Sequence, residues 1–445
     1  MNPVNPVNPV NPIQLQPAVW KDCLQPNEFP LMFQIRQNFE RPRIADIAGA
    51  IGKILSDLSL PLIRPGSRIA ITAGSRGIAD IVETLRAVVG FFRSRGGLPF
   101  IVPAMGSHGG ATSEGQVDVL SHLGITETSV GAQIRSSMEV VQIGEIFDGI
   151  PVYLDRIAST ADHIVIVNRI KPHTKFKGPI ESGLVKMMAI GLGKRSGAEL
   201  YHRAALQYTF PRVLQEAGHS VMEHSPILCG IGIVENAYDE TASIMAATPQ
   251  NLEEEEESWL ERAKELMPRL PFNQIDLLIV DEIGKEISGV GMDPNITGRN
   301  REQLGVFPHP VSIRYVFVRD LTRGANGNAT GIGLADLTTC RLVEKIDLNE
   351  TCTNCATSLS FEKAAIPLFF RTDREAVSVA LSSLGLVKPR DARIVRIRNT
   401  LAVSRLLVSQ AFQAEFKGRE DISIVQGPTS LSFGADGNLD PLSQD

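Results

Sequence analysis

The sequence predicts an α/β chain of two Rossmann-like domains with mostly parallel sheets, joined by a bridging helix. Three observations predict it. Short β-branched runs alternate with segments of helical period from Arg68 onward, the order that builds a parallel sheet with helices on both faces. An acidic helical segment over residues 251–269 interrupts that alternation near mid-chain. A second buried run, residues 274–283 (QIDLLIVDEI), then restarts it. The expected division is a tail over 1–13, a first α/β domain over 14–250, a bridging helix and hinge over 251–272, and a second α/β domain over 273–445.

The tail repeats Asn-Pro-Val from residue 2 to residue 12. Proline lacks a backbone donor and the repeat has little to bury, so it reads as disordered. Arg68–Ala73 (RIAITA) is the first clear strand, broken by Gly74-Ser75-Arg76-Gly77. Residues 78–95 place Ile78, Ile81, Val82, Leu85, Val88 and Val89 on one helical face. Residues 100–105 (FIVPAM) give a second strand, followed by the loop Gly106-Ser107-His108-Gly109-Gly110. Ser113 with Gln116 reads as a capping box that opens another helix. Residues 163–170 (HIVIVNRI) give a third strand, followed by Lys171-Pro172-His173, where Pro172 disfavours further pairing.

Over 251–269 the acids stand at the start and Lys264 and Arg269 near the end, as the helix dipole favours, so the segment reads as a solvated bridging helix. Apolar runs at 311–318 and 392–397 and a helix near 374–384 make up the second unit. Beyond about Gly427 the sequence shows no clear period.

Composition narrows the function. A net charge of −6 offers no general attraction to nucleic acid or anionic membrane. No apolar run approaches the roughly 18 residues of a membrane helix, and the first residues lack a secretory signal's charged and apolar regions. Five cysteines are few and odd in number, as in a reducing cytoplasm rather than a disulfide framework.

Ligands of open α/β sheets sit in loops at the carboxyl ends of strands. Three such loops carry Arg76, His108 and His173. Glycines beside Arg76 and His108 let backbone approach a ligand, and Arg76 offers a planar fork to a carboxylate or phosphate. Further on, Lys186 lies within an apolar stretch. A lysine there either snorkels to solvent or is desolvated, with a lowered pKa and a reactive amine. His202 follows 16 residues later. Neither HExxH nor a paired CxxC zinc motif is present, and Cys352-Thr353-Asn354-Cys355 stands alone. These residues by themselves leave a metal site or an acid–base site open.

The loops around Arg76, His108, His173, Lys186 and His202 resemble those of the lactate racemase family, which uses a nickel-pincer nucleotide. The resemblance spans roughly residues 30–425 and includes the interval from Lys186 to His202. It implies that Lys186 tethers the cofactor, that His202 binds nickel, and that His108 and His173 act as acid and base at a substrate hydroxyl. It also implies that Arg76 orients a 2-hydroxy acid, with Ser107, Gly109, Gly110 and Lys171 on the cofactor, and that cofactor-maturation enzymes are partners. The departures concern the substrate. Ala73 stands where the family has an aspartate, and the family's second-domain glutamine and lysine are not apparent. The segment 288–299 offers Asp293, Asn295 and Arg299 in their place. The implied activity is a racemase or epimerase of a 2-hydroxy acid other than lactate. Two alternatives stay open: a zinc-type hydrolase using the same histidines, and a non-enzymatic nucleotide- or anion-binding protein.

Overall fold

The computed structural model describes residues 17, 18, 20–301 and 307–442. The tail expected over residues 1–13 lies outside these. In chain order the strands are β1 (Leu31–Gln37), β2 (Arg68–Ala73), β3 (Leu98–Pro103), β4 (Val140–Ile146), β5 (Ile150–Asp155), β6 (His163–Arg169), β7 (Ile227–Glu235) and β8 (Thr241–Ala247). The second half adds β9 (Gln274–Val280), β10 (Ser312–Val318), β11 (Leu337–Thr339), β12 (Leu368–Phe370), β13 (Ile394–Ile397), β14 (Arg405–Ser409) and β15 (Ile422–Ser430).

The first sheet has the order β3-β2-β6-β7-β8. Its first four strands run parallel and β8 returns antiparallel to β7. Neighbouring residues of one strand serve opposite cores, as the two-residue period of a strand requires. Ala70, Ile164 and Ile166 join a core with the segment around Lys186 and the helix Phe210–His224. Ile69, Ile71, Val165 and Val167 join another with the helices Ile47–Asp57 and Ile81–Ser94. Burial on both faces explains why these strands read as continuous apolar runs. The hairpin β4-β5 stands apart as its own two-stranded sheet.

The second sheet has the order β12-β11-β10-β9-β13-β14-β1-β15. The run from β12 to β13 is parallel, and the last three strands pair antiparallel. The expected α/β class with mostly parallel sheets therefore holds.

Three local expectations change. The helix expected from residue 78 begins at Ile81. Its lead-in is tied to the first sheet, where Ala79 N donates to Glu235 Oε1 at 2.7 Å and Thr241 Oγ1 to Asp80 at 2.8 Å. The terminal region does not end in irregular chain near Gly427, because β15 runs on to Ser430 beside β1. Most of β15 is exposed at the sheet edge, so no alternation of apolar residues announces it. Finally β1, expected within the 14–250 unit, pairs with β14 and β15 of the second sheet.

The bridging helix is Leu252–Leu266. Glu254, Glu255, Glu257 and Glu261 form the solvated face that was expected. The other face is not solvated: Leu252, Trp259, Leu260, Ala263 and Leu266 pack into the first domain's core, and Glu256 is buried among them. Among the described residues, no helix is long and apolar enough to cross a membrane.

Candidate active site

Three loops meet at the carboxyl edge of the first sheet. The loop after β2 carries Ser75 and Arg76, the loop after β3 carries Ser107 and His108, and the segment after β6 carries Lys171 and His173. Gly109 has a φ of +66°, and a Cβ there would lie 2.5 Å from the backbone carbon of Gly115. Only glycine therefore lets the His108 loop fold back onto the helix Ser113–His122. That helix is capped by Thr112, whose hydroxyl accepts from Gly115 N at 3.0 Å, and not by the expected box of Ser113 and Gln116. Gln116 is instead buried beneath the loop, where its Nε2 donates to Gly106 O at 2.9 Å and His108 O at 3.4 Å.

Lys194 supports the same loop from below. It is fully buried, and its Nζ lies 2.5 Å from Pro103 O, 2.9 Å from Gln116 Oε1 and 3.1 Å from Asp155 Oδ2. Burial opposes charge on both members of the pair, and each favours the charged form of the other. Lys194→Met would leave Asp155 buried without its cation. It is expected to cost about 3–5 kcal/mol in urea unfolding, and a cost under about 1 kcal/mol would contradict this reading.

Lys186 ends the short helix Leu184–Lys186, which runs directly into a π-helical turn, Met187–Gly191. Such turns are rare and concentrate at functional sites. Burial, followed by the cations Arg76, Lys175 and Lys171, lowers the Lys186 amine to about 7. Of the two readings of Lys186, this favours the desolvated one, and an amine near neutrality is a usable nucleophile.

The start of this helix is held by Glu256 of the bridging helix, whose Oε2 accepts from Leu184 N at 3.0 Å and Val185 N at 2.9 Å. A Cβ on Gly183 would lie 2.1 Å from Glu256 Oε1, so glycine is required for the close approach. Burial raises the Glu256 carboxyl to about 8. The folded protein then holds a proton that the unfolded chain releases near pH 4.5. Stability should therefore fall as pH rises from about 4.5 to 8, by about 1.4 kcal/mol per pH unit for one proton. Glu256→Gln should remove this part of the slope, as measured by urea unfolding at pH 5 and pH 8. An unchanged slope would contradict the assignment.

Three histidines face this region. His108 is reached by solvent from the cleft, yet burial of its ring and the cations Arg76, Lys186 and Lys285 lower its pKa to about 4. Its Nδ1 is hydrogen-bonded to the Ser75 hydroxyl. Burial, then Lys186 and Lys175, holds His173 well below the usual imidazole range. Its ring stacks on Phe176 with centroids 4.3 Å apart, and its backbone N donates to the buried Glu181 at 2.7 Å. His202, on the helix Lys194–Tyr208, is also held low by burial, and its Nδ1 lies 2.6 Å from Ala198 O. A carbonyl oxygen can only accept, so Nδ1 carries the proton and Nε2 keeps its lone pair. That is the state of a metal-ligating imidazole.

The second domain supplies a residue that the sequence did not reveal. Lys285 Nζ donates to Gly289 O at 3.1 Å and to Asn354 Oδ1 at 2.8 Å, and burial with the nearby Arg76 charge lowers it to about 8. The Arg76 guanidinium reaches the same loop, where a Cβ on Gly289 would lie 3.2 Å from its Nη2. The expected absence of a second-domain lysine is thus corrected. Among the described residues, Arg76, Lys171, Lys186 and Lys285 form no ion pair with a carboxylate. With Lys186 lowered to about 7 and Lys171 drawn on by the charges of Asp293 and Glu235, Arg76 and Lys285 are the cations of the cleft best suited to an anion.

The segment 288–299 divides. Asn295 reaches the site's edge, where its Nδ2 donates to His173 O at 3.4 Å and its Oδ1 accepts from Lys177. Asp293 is buried, and its Oδ1 accepts from Asn295 N at 2.9 Å, so it braces Asn295. Arg299 is turned away. Its guanidinium is taken up by Asp336 at 2.9 Å, Ile313 O at 3.0 Å and Arg314 O at 3.1 Å. The expected substrate contact by Arg299 is not met, because its donors are spent within its own domain.

Among the described residues, no three of His, Cys, Asp and Glu gather so as to hold a metal ion by themselves. The zinc reading of His108, His173 and His202 therefore lacks a ligand set. Sequence reading also missed Ser75, Gln116 and Glu256. Ser75, adjacent to Arg76 in a strand-end loop, carried the only visible signal; the other two depend on tertiary contacts.

Residues 79–209 match the family described as the lactate racemase N-terminal domain. That stretch contains His108, His173, Lys186 and His202 and begins just beyond Arg76. The fold is similar to the lactate racemase apoprotein of Thermoanaerobacterium thermosaccharolyticum, with a TM-score of 0.51 at 13% identity over 84% of this chain and 99% of that one. At that identity the likeness concerns the fold alone. A Thermotoga maritima protein aligns with a TM-score of 0.46 at 10% identity over 74% of this chain and 83% of that one. The search among curated proteins found no match.

Proposed function

We propose that this chain, whose residues 79–209 match the lactate racemase N-terminal domain, is a nickel-pincer nucleotide-dependent racemase or epimerase of a 2-hydroxy acid other than lactate. Lys186 carries the proposal: an amine lowered to about 7, immediately before a π-helical turn, can form a covalent tether at neutral pH. The donor set fits the rest of the group. His202 offers a bare Nε2 as a single protein ligand. The unpaired cations Lys171 and Arg76 suit its phosphate and the substrate carboxylate. When bound, the nucleotide supplies reversible acceptance of hydride from the substrate α-carbon.

The chain's own residues do the remaining work. Arg76 and Lys285, from opposite domains, hold the substrate carboxylate. His108 and His173 stay neutral because burial and neighbouring cations disfavour imidazolium. A neutral ring can take the hydroxyl proton of either enantiomer, and the imidazolium so formed is the acid that returns that proton to the oxygen. We place the reaction in the cytoplasm, with cofactor-maturation enzymes as partners.

The test is co-expression with such enzymes, followed by peptide mass spectrometry and a racemisation screen of 2-hydroxy acids by chiral chromatography. The expected result is a mass adduct on the Lys186 peptide, co-purifying nickel, and turnover of a 2-hydroxy acid other than lactate. A Lys186 peptide that never carries an adduct, with no nickel retained, would sink the proposal.

A further inference from the structure

The loop that carries His173 is bound to the second domain more heavily than its place in the first domain requires. Lys175 Nζ crosses the cleft to Ser358 O at 2.9 Å and to the buried Ser360 Oγ at 2.8 Å. Asn300 Nδ2 donates back to Lys175 O at 3.2 Å, and Asn295 Nδ2 to His173 O at 3.4 Å. Within the loop, Lys175 N donates to His173 Nδ1 at 3.2 Å. One residue therefore touches both the imidazole and the opposite domain.

We propose that Lys175 is a positioning residue that holds His173 in its Nε2–H form, and does so only while the two domains are closed on each other. A backbone N–H can only donate, so the nitrogen it meets must be bare and the ring proton must sit on the other. His173 then presents a proton to the cleft from Nε2. Its Nδ1 cannot be protonated without losing the Lys175 bond. His108 is set differently, because the Ser75 hydroxyl at its Nδ1 can either donate or accept. His108 is free to present a bare Nε2, and His173 is not. The two rings start as a hydrogen-bond acceptor and a hydrogen-bond donor rather than as equals. That catalytic meaning rests on the racemase reading above; the tautomer and its coupling to closure do not.

Separation of the domains would pull the Lys175 ammonium from Ser358 and Ser360 and release the backbone that fixes the ring. The donor is thereby assembled only when the cleft is shut, which protects a planar keto acid from water.

The experiment needs no cofactor. Protein labelled with ¹⁵N-histidine, with His173→Gln to assign the ring, is examined by long-range nitrogen–proton NMR. The wild type should show His173 with bare Nδ1 and protonated Nε2. Lys175→Met should mix the two tautomers and speed carbethoxylation of His173 about tenfold, the scale of one lost charge-assisted bond. Lys175→Arg should restore the wild-type pattern. If Lys175→Met fails to fold by its melting curve, Ser360→Ala makes the same comparison with a smaller shift. A proton on Nδ1 in the wild type, or a ring and modification rate indifferent to Lys175→Met and Ser360→Ala, would overturn the proposal. Expected NMR behaviour without racemisation by loaded protein would defeat the functional reading alone.

Discussion

Replacing Lys186 with alanine is expected to abolish retention of the cofactor on the protein and to lower turnover by on the order of 10³ or more. The amine would be the sole covalent attachment, and Lys186 is the residue that leads into the π-helical turn. A probe independent of cofactor exists, because only neutral amines react with trinitrobenzenesulfonate. At pH 7.5 Lys186, lowered to about 7, should be labelled far faster than exposed lysines. Stability gives a further readout. The folded protein sheds this proton near 7 while the unfolded chain holds it to about 10.5, so the wild type gains stability as pH rises through that window. The difference between wild type and Lys186→Ala in urea unfolding should therefore grow in the wild type's favour from pH 7 to pH 9. A difference independent of pH would place the Lys186 amine at an ordinary pKa and remove its claim to nucleophilicity.

The second large effect concerns the two imidazoles. His108→Gln and His173→Gln should each lower turnover about 10²- to 10⁴-fold while leaving the adduct on Lys186 intact, as checked by peptide mass spectrometry. Retention with lost turnover separates proton transfer from cofactor binding. The pH dependence follows from the same environment. His108, held at about 4, stays unprotonated over the ordinary working range and is lost as a base only as pH falls through that value. The ratio kcat/KM should therefore show no acid limb between pH 5 and pH 8. A limb centred near 6.5 would mean that His108 titrates as an ordinary imidazole and that its cationic surroundings do not act on it.

Much of the site was legible because its residues break local rules. Arg76 and His108 sit among glycines at strand ends, His173 follows a proline, and Lys186 interrupts an apolar stretch. Each is conspicuous within a few residues of chain. The fold was legible for the same local reason, since strands buried on both faces read as apolar runs and helices keep their period. Lys285 was not legible, because its meaning comes from Arg76 of the other domain. Glu256 was hidden among five consecutive glutamates, 253–257, all plausible on a solvated helix. Only the phase of Leu252–Leu266 against the first core singles it out. Arg299 erred in the opposite sense: it looked like an anion receptor until Asp336 and two carbonyls were found to occupy it. Beside a charged residue, the sequence shows its capacity for a bond but not its partner.

The placement of β1 in the second sheet means that the backbone passes between the domains twice, once after Gln37 and once through the 248–273 segment that contains the bridging helix. Two chain crossings act as a paired hinge: they leave one rotation axis easy and resist twist. A single protease cut in either crossing should leave the halves associated, because the severed β1 remains laced between β14 and β15. The same weave orders synthesis on the ribosome. The first strand to emerge waits for the last before its sheet can close, whereas the domain bearing Lys186 has all its strands once β8 is made.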